Sequence, residues 1–248
     1  MQKYDDDYEY DNGFKPKEVI LKDNYKFYNR NIFFRFFSFL TIEILRVFLF
    51  LYQFLYLGLR VSGKKNIKGN KKGKIIISNH CMNLDAFYIP LKTRFAKTYV
   101  TVLQSNLGFP IFSPIIRIAG AVPIPTKRSL LKKFNEETKQ ALKRGNNVLI
   151  FPEAKLNPYC DHIRAFQPGA FHYALKCNCD IIPIVYTFHK PKGWYKITRG
   201  KKPVPKLNYL PIYKMPKCEK NSDSINMAIN ELQKIMNDFL VENSDYFK

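Results

Sequence analysis

The sequence predicts an α/β domain: a layered, largely parallel sheet flanked by helices, with an amphipathic helix ahead of it. Three observations carry the prediction. From residue 74 onward, short apolar runs bounded by turn residues alternate with segments of helical period. Two of those segments, 129–144 and 222–241, hold their apolar residues at helical spacing over several turns. Upstream of any strand, residues 32–59 form the most apolar stretch of the chain. There are no internal repeats and no linker long enough to divide the domain, so the chain parses into an acidic and polar segment (1–31), an apolar helix (32–60) and one α/β domain (61–248).

Taken in order, the first thirteen residues carry Asp5, Asp6, Asp7, Glu9 and Asp11 against Lys3 alone, which reads as a solvated, mobile tip. In 32–59 the charges Arg35, Glu43 and Arg46 interrupt the apolar run, and the longest charge-free part, 47–59, falls short of the ~20 residues that span a bilayer. At ~100° per residue, Arg35, Arg46, Gln53 and Arg60 lie within roughly 40° of one another, with Glu43 about 60° beyond. The polar residues make one narrow stripe on a helix that is otherwise apolar. That pattern fits a monotopic element lying in one leaflet, its stripe toward water or the protein, although a tilted spanning helix or a core helix would share parts of it. Six lysines follow between 61 and 74 (Lys64, Lys65, Lys68, Lys71, Lys72, Lys74), and they read either as a contact for anionic headgroups or as a solvated loop.

In the α/β domain, 74–78 (KIIIS) reads as a buried strand, 85–93 as a helix, 98–103 as a strand, 110–118 as a helix and 121–124 as a strand. An amphipathic helix over 129–144 turns Leu130, Leu131, Phe134, Thr138, Ala141 and Leu142 inward. Strands follow at 147–151 and 181–187 with a helix at 168–176 between them. Two weaker strands fall near 195–199 and 207–213, and a closing helix over 222–241.

Composition narrows the partners. With 46% apolar residues in 248 the chain can bury a sizeable core, and 11 glycines exclude collagen-like and glycine-rich disordered classes. A formal charge of +21 favours polyanions, either nucleic acid or an anionic membrane face. No zinc finger, RNA-binding sheet signature or helix-turn-helix is recognisable, so nucleic acid is not an expected partner. The five cysteines are odd in number with no signal-peptide pattern ahead of them, which points to a reduced, cytosolic compartment. Cys160-x-His162 and Cys177-x-Cys179 have spacings unlike zinc pairs, so no metal is expected and the cysteines read as small hydrophobes. His162, His172 and His189 lack a matched partner in the sequence and read as structural.

The segment most suggestive of chemistry is Asn79-His80-Cys81-Met82-Asn83-Leu84-Asp85. A strand ending at Ser78 delivers His80 to the carboxyl edge of the sheet, where open α/β folds place their sites. Asp85, five residues on, can fold back to fix the imidazole tautomer, or it can be a helix N-cap. A histidine so held can act as general base toward an alcohol, which is a poor nucleophile at neutral pH. If the substrate hydroxyl attacks directly, no catalytic serine or cysteine is needed.

Further blocks follow in order: Gly120-Ala121-Val122-Pro123-Ile124-Pro125-Thr126-Lys127-Arg128, then Phe151-Pro152-Glu153-Ala154, then Ile182-Pro183-Ile184-Val185. Over about residues 60–215 this arrangement resembles the 1-acylglycerol-3-phosphate O-acyltransferase family, whose pattern is Asn-His-x4-Asp, a Gly-led block ending in Arg, Phe-Pro-Glu-Gly-x-Arg, and an apolar segment with proline. The resemblance implies His80 as catalytic base and Asp85 as its relay partner. It implies Glu153 and Gly120 on the acceptor side. Two positions depart from the pattern: Thr126 stands where the second block has arginine, and Ala154-Lys155-Leu156 where the third has Gly-x-Arg. Lys127, Arg128, Lys155 and Arg164 are the cations that could replace the missing ones. A helix starting after Pro168-Gly169 offers amides to an anion, unless Gly169 only permits close packing.

The implied reaction moves a fatty acyl group from acyl-CoA or acyl carrier protein, as thioester co-substrate, to a lysophospholipid acceptor, with no tightly bound cofactor. The acceptor the resemblance implies is 1-acylglycerol 3-phosphate, giving phosphatidic acid, with glycerol 3-phosphate or another lysolipid as alternatives. From another class the rival is a basic nucleic-acid-binding protein, and a family member that binds lipid without catalysis is a third reading. The expected location is the cytoplasmic side of a cell membrane, peripheral or monotopic, among anionic phospholipids. Trp194 and the basic run 190–206 form a second candidate membrane-facing rim.

Overall fold

The computed structural model describes residues 17–67, 73–93, 97–109 and 112–248. The acidic tip, along with Lys68, Lys71 and Lys72, lies outside the described residues. Helix α1 (Ile32–Tyr52) runs into a π-helical turn (Gln53–Leu57) and leads to β1 (Arg60–Ser62), a strand the lysine-rich sequence did not suggest. There follow β2 (Ile75–Ser78), α2 (Asp85–Lys92), β3 (Thr98–Leu103), α3 (Phe112–Ile118) and β4 (Ala121–Ile124). The chain continues through α4 (Arg128–Lys143), β5 (Asn147–Ile150), α5 (Gly169–Cys177), β6 (Ile181–His189), α6 (Trp194–Arg199), β7 (Val204–Tyr209) and α7 (Asn221–Asn243).

The seven strands form one sheet in the order β1-β7-β6-β2-β5-β3-β4. Every neighbouring pair is parallel except β6 with β7. The predicted parallel α/β class is therefore the observed one. Helices on both faces explain why β2 is buried at every position, with Ile75, Ile76 and Ile77 fully enclosed. On leaving β5 the chain passes over β2 to enter β6, so β2 sits where the strand order reverses, and its carboxyl end is the edge at which open α/β sheets place their sites.

One predicted strand is a helix. Residues 194–199 form α6, a short helix bracketed by Gly193 and Gly200, both at φ +55. Trp194, Tyr195, Ile197 and Thr198 suggested a strand, but the two left-handed glycines turn the chain too sharply for one. The neighbouring strand lies at 204–209, somewhat before its predicted place, and Pro211 cannot continue its ladder.

The described part of 1–31 is anchored to the domain by three buried side chains. Leu21, Phe27 and Tyr28 are buried against Val122, Leu130, Phe134 and Ala141, so residues 17–31 strap the β4 edge of the sheet. Glu137 on α4 accepts the amides of Phe27 and Tyr28 (3.0 and 3.2 Å), and Gln104 donates to the carbonyl of Val19 (2.6 Å).

Helix α1 turns part of its polar stripe toward the domain, with Glu43, Arg46 and Gln53 half-buried, while Arg35 and Arg60 stay exposed. Ser38 is buried and donates to the carbonyl of Ile118 (2.6 Å), Glu43 pairs with Arg46, and Gln53 donates to the carbonyl of Leu59 (2.8 Å). The rest of the helix stays exposed: between Ile32 and Tyr56, fifteen large apolar side chains face outward. Among the described residues no helix is long and apolar enough to cross a membrane. Lys74, assigned to the headgroup cluster, is instead buried (3% exposed) and pairs with Asp180. Lys64 and Lys65 are exposed.

Candidate active site

Beyond the carboxyl end of β2, the Asn79 side chain continues the ladder that the strand has left. It accepts the Tyr186 amide (2.8 Å) and donates to the Tyr186 carbonyl (3.1 Å), tying the turn to β6. His80 follows. Its Nδ1 lies 2.9 Å from Asp85 Oδ2, and because a carboxylate only accepts, Nδ1 carries the proton and Nε2 keeps its lone pair. Asp85 is fully buried, and the same oxygen accepts the amides of Cys81 (2.9 Å) and Met82 (3.2 Å). The carboxylate therefore braces the histidine turn. The N-cap position of α2 is Leu84, without a side-chain cap, so Asp85 is not there as a cap.

The imidazole stacks on Phe151 (centroids 4.2 Å apart, planes at 21°), which fixes its plane. Burial pulls its pKa down, but the charge and hydrogen bond of Asp85, with Glu153 behind, more than reverse that, and the net shift is upward. The side chain stays 24% exposed, so an incoming group can reach it.

Glu153 lies beside this pair. It is 6% exposed, and its two oxygens accept the amides of His80 (3.2 Å) and Arg164 (3.4 Å). Burial raises its pKa to about 7, with those two amides, His80 and Arg164 opposing. The carboxylate thus joins the His80 turn to the loop that closes over it. That loop is fastened further by Asn157, whose amide donates to the His80 carbonyl (2.8 Å), and by Tyr159, whose amide reaches the Cys81 carbonyl (3.3 Å). From below, Asn237 and Gln233 on α7 accept the amides of Ile163 and Phe166. None of these loop contacts was foreseen, since each pairs residues far apart in sequence.

Ala154, one of the two departures from the family pattern, stands at φ +61, where a glycine would be at ease. The left-handed conformation costs an L-residue ~1–2 kcal/mol, and the extra freedom of glycine in the unfolded chain offsets ~0.4–1 of that. Ala154→Gly should therefore stabilise the protein by roughly 0.5–1 kcal/mol, a rise in Tm of about 1–4 °C. Thermal unfolding reads this directly, and an unchanged or lower Tm would mean the turn carries no such strain.

The other predicted residues separate. Arg164 is buried next to Glu153 and belongs to the site. Gly120 does not lie at the same edge. The register sets it level with Ile75, five residues before His80 and so ~16 Å toward the amino edge. At φ +109 its task is the turn from α3 into β4. Ile124 ends level with Asn79, which puts Thr126, Lys127 and Arg128 at the correct edge but three strands across, ~14 Å from β2. Lys127 there pairs with Asp23 of the strap (2.6 Å), while Arg128 opens α4 with its side chain exposed. Lys155 is exposed on the loop after Glu153. Gly169 has open space where a Cβ would sit, so close packing does not explain it.

Two histidines read as unpartnered do have partners. His162 lies 2.8 Å from Asp161 and 3.3 Å from the Cys160 thiol, and His189 lies 3.6 Å from Asp245. The Cys160, Asp161 and His162 donor atoms all fall within 4.8 Å of one another, closer than their spacing suggested. Cys81 and Cys160 are buried, the other three cysteines are half-buried, and all five are free thiols. Burial pushes the Cys81 and Cys160 thiols up, which makes both poor nucleophiles.

Comparison with known proteins adds independent information. The family model described as Acyltransferase matches residues 58–187, a span holding His80, Asp85, Glu153 and Arg164. The chain is 24% identical over 189 residues to an uncharacterized acyltransferase of Schizosaccharomyces pombe, covering 71% of this chain and 63% of that protein. It is 24% identical over 144 residues to the 1-acyl-sn-glycerol-3-phosphate acyltransferase of Limnanthes alba, covering 57% of this chain and 50% of the other. This chain thus spans only half to under two thirds of the length of those curated relatives. Among solved structures, the 1-acyl-sn-glycerophosphate (LPA) acyltransferase PlsC of Thermotoga maritima superposes with a TM-score of 0.55 at 19% identity. The match covers 84% of this chain and 88% of that one, and it shows a shared fold.

Proposed function

The chain belongs to the acyltransferase family, and on that premise we propose that it transfers a fatty acyl group from a thioester, acyl-CoA or acyl carrier protein, to the free hydroxyl of 1-acylglycerol 3-phosphate at a membrane surface, giving phosphatidic acid. The observation that carries the reading is the His80–Asp85 pair, its Nδ1 proton held by a fully buried carboxylate and its Nε2 lone pair free to accept. The names of the Limnanthes and Thermotoga proteins support the choice of acceptor.

The chemistry follows from that geometry. The acceptor hydroxyl donates to His80 Nε2 and its oxygen attacks the thioester carbonyl carbon. A C–O bond forms, and the imidazolium is stabilised by Asp85. The tetrahedral intermediate collapses, the C–S bond breaks, and the leaving thiolate takes the proton back from His80. The products are an ester and a free thiol. Neither a protein nucleophile nor an external oxidant or reductant enters.

The acceptor's phosphate needs a cation, and Arg164, beside Glu153 and the His80 turn, leads Arg128 and Lys127, which stand three strands across. Acyl transfer is read by thiol release with a panel of phosphorylated and unphosphorylated acceptors and both donors. Arg164→Gln should raise KM for 1-acylglycerol 3-phosphate by about tenfold or more while leaving KM for the donor nearly unchanged. Equal rates on phosphorylated and unphosphorylated acceptors, unaffected by changing Arg164, Arg128 and Lys127 together, would sink the lysophosphatidate assignment. The acyl-transfer chemistry would then point to another lysolipid.

A further inference from the structure

The π-helical turn that follows α1 (Gln53–Leu57) poses a problem of unsatisfied backbone. Its last carbonyls point away from the helix with no amide ahead to receive, and in water the solvent would satisfy them. Here they are capped one by one from α6. Trp194 Nε1 donates to the Leu55 carbonyl (2.7 Å), Tyr195 Oη to the Phe54 carbonyl (2.7 Å) and Thr198 Oγ1 to the Tyr56 carbonyl (3.2 Å). Three consecutive carbonyls met by three side chains of one short helix is the provision a helix end needs where water is excluded.

The outer surface of α6 has the matching character. Trp194 is 59% exposed and Ile197, three residues on, is 76% exposed, on a helix bonded to the turn whose Phe54, Leu55 and Tyr56 side chains are exposed as well. Around them, residues 190–206 carry seven cations and no carboxylate. An apolar tip ringed by lysines, with an amphipathic indole among them, is complementary to an anionic lipid leaflet. The ring also reaches the active site. Arg199 at the end of α6 donates to Tyr159 Oη (3.1 Å), and Tyr159 lies on the loop whose amide bonds the Cys81 carbonyl next to His80.

We propose that α6 is a second membrane-insertion element, with Trp194 and Ile197 entering the leaflet and the lysines of 190–206 holding anionic headgroups, so that the sheet edge at His80 is held close to lipid. The proposal rests on the membrane-surface reading above and adds a site to it.

The chain contains a single tryptophan, so Trp194 is its own reporter. Full-length protein is mixed with phosphatidylcholine vesicles with and without phosphatidylglycerol, and binding by co-sedimentation is measured alongside Trp emission and quenching by brominated lipid. Vesicles containing phosphatidylglycerol should shift the emission to the blue and make it quenchable. Ile197→Asp, at an exposed position, should leave the fold intact, weaken binding about tenfold or more and remove both signals. Protein that sediments with vesicles while Trp194 keeps its aqueous emission overturns the α6 proposal and leaves the membrane reading standing. Protein that sediments with no vesicle overturns both.

Discussion

His80→Ala should lower kcat for acyl transfer by ~10²–10⁴ while the protein remains folded, the loss expected when a positioned general base is removed. The side chain is 24% exposed and packs chiefly on Phe151, so its removal opens no deep cavity. Asp85→Asn should be nearly as damaging for a different reason. The carboxylate oxygen takes three donors, and an amide in its place can turn its NH₂ toward Nδ1, selecting the tautomer whose Nε2 is protonated and cannot act as base. The two variants also separate by pH. The base must be neutral to act, so in the wild type kcat/KM rises with pH through a pKa that Asp85 holds above the ordinary imidazole value. In Asp85→Asn that support is gone, and the residual activity should have its acidic limb at lower pH. A limb that does not move would separate His80 from the observed ionisation.

The second large effect concerns α1 and the π-helical turn that follows it. Phe36, Phe48 and Phe54 are each more than 60% exposed on the surface proposed to enter a leaflet. Partial burial of a phenylalanine contributes ~1 kcal/mol, so replacing all three by Asp should weaken vesicle partitioning by about 10²-fold or more. Activity on acceptor embedded in vesicles should fall with it, whereas activity on a short-chain, monomeric acceptor should persist. Point substitutions are the appropriate test. Deleting residues 1–60 would also remove Leu57 and Leu59, which are buried in the core, and Arg60, which starts β1. Unchanged partitioning of the triple variant would remove α1 from the membrane account.

The elements legible in the sequence were those specified locally. β2, β3, β4 and the amphipathic α4 lie where runs and periods place them, and the His80–Asp85 contact follows from a five-residue turn. What depended on distant partners was not legible. Nothing local says that Glu153 turns inward to the His80 amide, that Lys74 is buried against Asp180, or that Lys127 meets a strap from residue 23. A charge in a basic run looks the same whether it faces solvent or a buried carboxylate. α6 was misread because aromatic and β-branched residues favour strands wherever the glycines beside them are not given their φ.

The central claim is that His80 activates an acceptor hydroxyl for direct attack on a thioester. It is tested by adding acyl thioester to the purified protein, following thiol release, and only then supplying 1-acylglycerol 3-phosphate. The account predicts no release before the acceptor arrives, then thiol and phosphatidic acid in equal amounts, both nearly abolished in His80→Ala. A stoichiometric burst of thiol with acylated protein before acceptor is added, or an undiminished rate in folded His80→Ala, would contradict it.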